Sequence, residues 1–196
     1  MGFSAGIFIF CAYILGGISA GYYLVHFKIG TDIREHGSGS VGARNVKRLL
    51  GSFGFYFTLF FDGFKGLVAV LVAQRLGFSQ PVVSLVFVAV IAGHIWPIQL
   101  RFRGGKGIAT SCGALLAYSP LLLGGLLGLT LLFLLLRMGF IFAGITAFLF
   151  LPLVGYFLDM PPHQVGAMGM VSAFIVFAHR ERVQKIFVKI RENREM

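Results

Sequence analysis

Charge is scarce in this sequence, and negative charge is the scarcest of all. Charged residues make up 12% of the 196 residues, and only 7 residues are Asp or Glu. A soluble domain of this size needs a more polar shell, so the composition excludes a soluble enzyme or binding domain. The lack of carboxylates and of clustered Cys and His also argues against a metal site. We therefore expect an integral membrane protein without a metal site, and we also predict no cofactor.

Cysteine is rare too, and the sequence opens without a basic segment. Cys11 and Cys112 both lie in apolar stretches, where a cysteine behaves as a small packing residue rather than as a reactive thiol. A signal peptide begins with basic residues, and this sequence has no Lys or Arg before Lys28. We therefore expect the first apolar run to be retained.

Apolar residues, in contrast, are abundant. They make up 57% of the chain, and the mean hydropathy is +0.87. A helix needs about 20 apolar residues to cross a bilayer. The apolar runs predict spans near 3–25, 53–74, 81–99, 108–119, 121–136, 139–158 and 163–179. We expect an all-α fold in which residues 1–196 form one membrane-embedded domain, a bundle of about seven transmembrane helices.

The number of spans depends on residues 108–136. This stretch is too long for one upright helix and is broken at Ser119-Pro120, which favours two short helices, either as full spans or as a re-entrant hairpin. Seven spans place nearly all of the 17 basic residues on one side. With six spans, Arg137 and the basic tail move to the other side. The positive-inside rule therefore favours seven, with the N-terminus outside and the C-terminus in the cytoplasm.

Two glycine-rich basic segments lie on the predicted cytoplasmic side. Residues 37–42 hold three glycines and two serines and lead to Asn45 and Arg48, whereas residues 101–107 hold three cations and three glycines. Glycine lets backbone N–H groups approach a ligand, and cations beside such groups form an anion site. Each segment can also be a flexible loop whose charges set the topology. We favour a phosphate site, which predicts a phosphorylated substrate handled at the bilayer surface.

Other polar residues allow two interpretations each. Asp62 and Lys65, three residues apart in a predicted span, lie on one helix face and form either a structural ion pair or part of a site. His94, near the cytoplasmic end of its span, is either a packing residue or a catalyst. In the basic tail, apolar residues at helical spacing predict an amphipathic helix on anionic lipid. Alternatively, His179 or Arg182 contributes to an anion site.

These residues resemble one family, the bacterial acyl-phosphate:glycerol-3-phosphate acyltransferases. The resemblance covers about the first 110 residues and the start of the tail, whereas residues 115–178 match only as apolar spans. The matching residues are Ser19, Tyr22, Asp32-Ile33-Arg34, residues 37–42, Asn45, Arg48, Asp62, Lys65-Gly66, Gly93-His94, Pro97, Phe102-Arg103-Gly104-Gly105-Lys106-Gly107 and Ala109-Thr110.

The resemblance implies a multi-span enzyme of the bacterial cytoplasmic (inner) membrane. Such an enzyme transfers a fatty acyl group from acyl phosphate to glycerol 3-phosphate and releases lysophosphatidate and inorganic phosphate, the first acylation of phospholipid synthesis. Membrane lipid is then its surroundings, and we expect neither nucleic acid nor a stable protein partner. The formal net charge of +10 is assigned to topology and anionic lipid. A transporter or channel for a small phosphorylated anion is the alternative, although the sequence has no inverted repeat.

The resemblance also assigns roles to residues. Ser38 and Arg48 match the catalytic serine and arginine of the first motif, and we add Lys106 and His94 as catalytic candidates. The candidates for phosphate binding are Gly37, Gly39, Ser40, Gly42, Asn45, Arg103, Gly104, Gly105, Gly107 and His179. No protein base is evident, so we hypothesise that the phosphate of the donor accepts the proton of the attacking hydroxyl.

The third motif of the family is only partly present. His179 matches it, but Arg182 stands where asparagine is usual and Lys185 where arginine is usual, and no Gly-Thr-Glu follows. The role of the tail therefore stays open.

Overall fold

The described residues of the computed structural model, 2–181 and 184, form helices joined by short connections. Two 3-10 turns, Ile33–Glu35 and Ile98–Leu100, lie in the longer connections. The helices are α1 (Phe3–Gly17), α2 (Ala20–Ile29), α3 (Ala43–Arg75), α4 (Gln80–Ile95), α5 (Ile108–Tyr118), α6 (Pro120–Leu135), α7 (Phe140–Phe157) and α8 (Pro162–Ala178). The predicted all-α class is confirmed for this part of the chain.

Three helical segments are long and apolar enough to cross a membrane alone: α3, Gln80–Leu100 and α7. The pair α1 and α2 meets the same criteria as one span bent by 41°. The helices α5, α6 and α8 are apolar but shorter, with 11, 16 and 17 residues. At a rise of about 1.5 Å per residue, α5 is only about 16 Å long and reaches about half-way through a 30 Å hydrocarbon core.

The first predicted span, 3–25, is two helices rather than one. Gly17 ends α1, Ile18 is extended, and the Ser19 side chain caps α2 by accepting a hydrogen bond from the Tyr22 N–H at 3.3 Å. Serine is a favoured N-cap, so it starts a new helix inside an apolar run. The break leaves the Ile18 carbonyl outside the helical hydrogen-bond ladder. This carbonyl instead accepts a hydrogen bond from Nζ of Lys65 on α3.

Helix α3 starts ten residues before the predicted span at 53. Its first two turns carry Arg44, Lys47 and Arg48, and the backbone kinks at Gly51, where φ is 65°. The predicted loop 37–48 is therefore a loop only up to Gly42, and Asn45 and Arg48 lie on a helix. Apolar periodicity misses this start because the first turns are polar.

Helices pack closely where glycine leaves room for the opposing backbone. A Cβ at Gly93 of α4 would overlap the Tyr13 backbone of α1, and a Cβ at Gly113 of α5 would overlap Gly63 of α3. Such contacts are typical of helix pairs in membranes. The main core lies between these helices and α6–α8, and its most buried members include Phe87, Ile91, Leu115, Leu151 and Met168.

A second, smaller core lies under the two basic segments. It consists of Val25, Ile33, Val41, Val46 and Leu100. Leu100 directly precedes residues 101–107, and Val41 and Val46 belong to the first segment and the start of α3. The two glycine-rich segments, which are distant in sequence, are therefore anchored in the same apolar cluster.

Candidate functional site

The first segment folds around the buried side chain of Asn45. Its Oδ1 accepts hydrogen bonds from the Ser38 N–H at 3.0 Å and from Nη1 of Arg48 at 3.4 Å. Its Nδ2 lies within 3.2 Å of the carbonyl oxygens of Ile33, His36 and Ser40. The Asn45 amide is thus engaged by the chain itself, and it brings Ser38 and Arg48 next to each other.

Glycine is required at two positions of this turn. Gly37 and Gly39 have φ values of 59° and 68°, in the left-handed region that side chains disfavour. A Cβ at Gly37 would also overlap Oδ1 of Asn45. Ser38 and Arg48 are both exposed beside this turn, so the hydroxyl and the guanidinium can meet a ligand together.

The second segment folds back onto the end of α4. Gly104 N–H donates to the Ile95 carbonyl at 3.1 Å, and Gly105 N–H donates to the His94 carbonyl at 3.0 Å. A Cβ at Gly105 would overlap the His94 imidazole. These two N–H groups are not bare, contrary to the sequence-based expectation. Here glycine permits close packing on α4 and does not leave donors open for a ligand.

Lys106 connects the second segment to the end of α8. Its Nζ donates to the Ala178 carbonyl at 3.2 Å. A Cβ at Gly107, whose φ is 82°, would touch Ile175 of α8. The buried His179 follows Ala178, and its Nδ1 lies 2.8 Å from the Ile175 carbonyl oxygen. Lys106 and His179 are therefore neighbours, whereas the predictions for Arg182, Lys185 and the amphipathic tail lie outside the described residues.

Arg34 joins the two segments. Its Nη1 donates to the Leu100 carbonyl at 2.7 Å, and its Nε and Nη2 donate to the Asp32 carboxylate at 2.9 and 2.5 Å. This two-point geometry is the strong form of a guanidinium–carboxylate pair. The adjacent guanidinium lowers the pKa of Asp32 below its ordinary value, and the carboxylate raises the pKa of Arg34.

Arg103 opens onto a polar cavity of about 500 Å³ lined by Asp32, Arg34, Glu35, Arg101 and Arg103. Arg101 and Phe102 are held in the left-handed region, with φ of 54° and 61°. Non-glycine residues adopt this conformation at a cost of roughly 1–2 kcal/mol each. The cavity is lined by three arginines, and among the described ion pairs only that of Arg34 joins one of them to a carboxylate. The cavity thus presents guanidinium groups to an anion, and Arg34 and Arg101 join the predicted candidates.

His94 is buried in a polar cluster inside the bundle. Nζ of Lys65 lies 2.9 Å from Oδ1 of Asp62 and 3.0 Å from Nδ1 of His94. The predicted ion pair between Asp62 and Lys65 is confirmed. Sequence spacing did not show that His94 joins it, because a contact between α3 and α4 has no local signature.

An apolar groove of about 730 Å³ lies between α2, α3 and the end of α1. Its walls are mostly aromatic and aliphatic, and Lys65 and Lys28 are its cations. The principal wall residues are Tyr23, Leu24, Phe27, Phe57, Phe61 and Phe64. Phe57, Phe61 and Phe64 recur at helical spacing, and from sequence alone this pattern predicts only a transmembrane helix.

The described residues contain no group of three His, Cys, Asp or Glu that would hold a metal ion. Metal-free action stays a prediction. The site is instead a set of cations and hydroxyls at the ends of α3, α4 and α8, which suits the binding and polarisation of a phosphate.

Comparison with known proteins identifies relatives along nearly the whole chain. A sequence model of the glycerol-3-phosphate acyltransferase family matches residues 6–189. Glycerol-3-phosphate acyltransferase 1 of Desulfitobacterium hafniense is 38% identical over 183 residues, which cover 93% of this chain and 91% of the relative. Glycerol-3-phosphate acyltransferase of Geobacter sulfurreducens is 39% identical over 175 residues, which cover 89% and 90%.

The fold agrees as well. The crystal structure of PlsY (YgiH), an integral membrane glycerol 3-phosphate acyltransferase in its glycerol 3-phosphate form, matches with a TM-score of 0.86 and 31% identity, over 95% of this chain and 93% of that one. The same enzyme in its lysophosphatidic acid form gives a TM-score of 0.83. The chain belongs to the glycerol-3-phosphate acyltransferase family and is an integral membrane acyltransferase.

Proposed function

We propose that this protein transfers a fatty acyl group from acyl phosphate to glycerol 3-phosphate at the cytoplasmic face of the bacterial inner membrane. The observation that carries the proposal is the convergence of three elements. The Ser38–Arg48 turn shares its apolar core with Leu100, and the Lys106 segment reaches the end of α8. Both substrates carry a phosphate, and this convergence gathers cations that suit two phosphates.

The reaction needs orientation and charge neutralisation more than a strong protein base. The glycerol hydroxyl oxygen bonds to the acyl carbon, the bond from that carbon to the phosphate oxygen breaks, and inorganic phosphate leaves. We assign the hydroxyl proton to the leaving phosphate. Arg48 and Lys106 offset the negative charge of the phosphates, and Ser38 and His179 orient them. Asn45 and the glycines of both segments hold these groups in place.

The apolar groove suits the acyl chain of the donor. Its walls are hydrocarbon and aromatic, and burying a methylene group contributes about 0.8 kcal/mol. Lys28 lines the groove and lies four residues before Asp32. An acyl chain in the groove would therefore end near the turn that holds Arg34. The cavity of Arg34, Arg101 and Arg103 attracts glycerol 3-phosphate from the aqueous side.

We place about seven spans in one domain, with the N-terminus outside and the C-terminus in the cytoplasm. In this arrangement α1 and α2 form one broken span, and α5 and α6 supply two short ones. What supports it is the position of the basic residues: Arg34, Arg48, Arg103 and Lys106 lie at one end of the bundle. Arg75 ends α3 at the other end.

The test is acyl transfer by purified protein in detergent. Acyl phosphate and radiolabelled glycerol 3-phosphate should give labelled lysophosphatidate and an equal amount of inorganic phosphate, without added metal and in the presence of a chelator. Acyl-coenzyme A should be a poor donor. Detergent abolishes vectorial transport but not acyl transfer, so folded protein that makes no labelled product from acyl phosphate, or that uses acyl-coenzyme A as readily, would overturn the proposed donor.

A further inference from the structure

A single ammonium group in the bundle interior connects three parts of the chain. Nζ of Lys65 lies 2.7 Å from the Ile18 carbonyl oxygen, 2.9 Å from Oδ1 of Asp62 and 3.0 Å from Nδ1 of His94. These partners belong to the break between α1 and α2, to α3 and to α4. The exposed fractions of Lys65, Asp62 and His94 are 7%, 2% and 4%, so water does not replace these contacts.

The proton positions follow from the donor count. An ammonium group has three N–H donors and no acceptor, and Lys65 has three partners. As an ammonium, Lys65 can only donate, so its contact with His94 requires Nδ1 to accept and the imidazole proton to be on Nε2. Oδ1 of Asp62 is 3.8 Å from Nδ1 of His94, and the ammonium bridges the two. A proton on Nδ1 would face the ammonium and break this arrangement.

The ring held in this way supports the second glycine-rich segment. Its Nε2 and Cε1 edge faces Gly105, so closely that a Cβ there would overlap the ring. The His94 and Ile95 carbonyls accept the N–H groups of Gly105 and Gly104. Lys106 is the next residue. The orientation of the His94 ring therefore determines where the Lys106 side chain starts.

We infer that Asp62 and Lys65 are positioning residues for acyl transfer: they hold His94 as the Nε2–H tautomer, whose ring edge positions Gly105 and Lys106. This inference rests on the function proposed above. A buried ion pair is weak evidence for stability, since apolar side chains of similar size often stabilise a protein at least as well. In this cluster the lysine has a partner for each of its donors, and the histidine contacts Gly105 of the second segment. A role in orienting the His94 ring explains these contacts better.

The tautomer is measured directly. With 15N-labelled histidine, the His94 signals are assigned as those lost in His94→Asn, among the 5 histidines of the chain. We expect a protonated Nε2 and an unprotonated Nδ1, unchanged between about pH 6 and pH 8, where an ordinary histidine titrates. A proton on Nδ1, or titration in this range, overturns the inference. This readout needs no activity, so it stands apart from the proposed function.

Activity tests the consequence. The double variant Asp62→Asn/Lys65→Met removes the pair without leaving a lone buried charge, and His94→Asn keeps an acceptor for Lys65 but removes the ring edge against Gly105. For both we expect kcat to fall at least about tenfold, equivalent to about 1.4 kcal/mol of transition-state stabilisation, with a smaller change in KM. In the double variant the His94 proton should no longer be confined to Nε2.

The matched control is Gln74→Leu. Nε2 of Gln74 donates to the Ala117 carbonyl at 3.0 Å. This variant therefore also removes a hydrogen bond from α3 to a neighbouring helix, here α5, but at the C-terminal end of α3, away from the cluster. It should keep kcat within about twofold. If folded Asp62→Asn/Lys65→Met protein keeps kcat within the same range, or if the control loses as much as the variants do, the cluster has no positioning role. If the wild-type protein makes no lysophosphatidate, the proposed function fails, and the tautomer measurement still decides the structural part.

Discussion

Replacing Gly105 with alanine adds one methyl group where the second segment touches His94. Gly105 is not among the residues with positive φ, so its backbone admits alanine and the penalty comes only from space. The added Cβ would lie under 3.0 Å from Nε2 and Cε1 of His94. The ring cannot swing away freely because Lys65 holds Nδ1. The segment cannot lift without breaking the bonds from Gly104 and Gly105 to the end of α4.

The magnitude follows from these constraints. Overpacking of a well-packed site costs typically about 1–3 kcal/mol of stability, and each kcal/mol lowers Tm by roughly 2–4 °C in a chain of this size. Activity is more sensitive. If the segment shifts by about 1 Å to make room, Lys106 shifts with it, and a misplacement of that size lowers kcat/KM by on the order of 100-fold.

The assay is phosphate release from acyl phosphate with saturating glycerol 3-phosphate, beside a thermal melt in the same detergent. Gly124→Ala in α6 is the matched control, because a Cβ there meets nothing within 4 Å; it should keep full activity. In a His94→Ala background, which empties the space, adding Gly105→Ala should lower kcat/KM by less than about threefold, the non-additivity expected of two residues in contact. Full activity of Gly105→Ala, or an equal loss in both backgrounds, would refute the steric argument.

Other predictions test the surrounding site. Lys106→Ala should lower kcat/KM at least roughly tenfold, since hydrogen bonds to charged groups contribute about 1.5–3 kcal/mol, while a thermal melt shows that the variant is folded. The Asp32–Arg34 pair should stabilise the fold fully above the ordinary Asp pKa of 3.8 and progressively less as the pH falls through the lowered pKa of Asp32. The Tm difference between wild type and Asp32→Asn should therefore narrow below about pH 3.8. In cells, cysteine at Ser40 should be labelled only after the inner membrane is permeabilised, and cysteine at Ser79 without it; the reverse pattern would invert the proposed topology.

Much of the fold was predictable because its signals are local. Apolar runs gave α6, α7 and α8 nearly to the residue, Ser119-Pro120 marked the turn between α5 and α6, and a spacing of three gave the pair of Asp62 and Lys65. Each of these signals lies within one run or one helical turn, where hydropathy and sequence spacing report structure directly.

The rest depends on contacts between distant residues. The break at Ile18 is stabilised by Lys65, 47 positions away, and nothing in a run of apolar residues shows it. The start of α3 was missed because its first turns are polar, and the groove because a stripe of Phe residues also fits a lipid-facing helix. The segments 37–48 and 101–107 were found from composition, but their meeting through Arg34 and Leu100 required the fold.

The glycines of the second segment illustrate how one residue type serves two physical roles. The sequence predicts that Gly104 and Gly105 present open N–H groups to a phosphate, whereas both N–H groups are bonded to the end of α4. Only Gly107, at φ 82°, needs glycine for its backbone conformation. The segment is therefore rigid: α4 holds one side of it and α8 holds Lys106. A rigid site places its cations before the substrates arrive, so little of the binding free energy is spent on ordering them. In the proposed reaction the substrates bring the negative charge and the leaving group, so we expect the placement of cations at these helix ends to be the main contribution of the chain to catalysis.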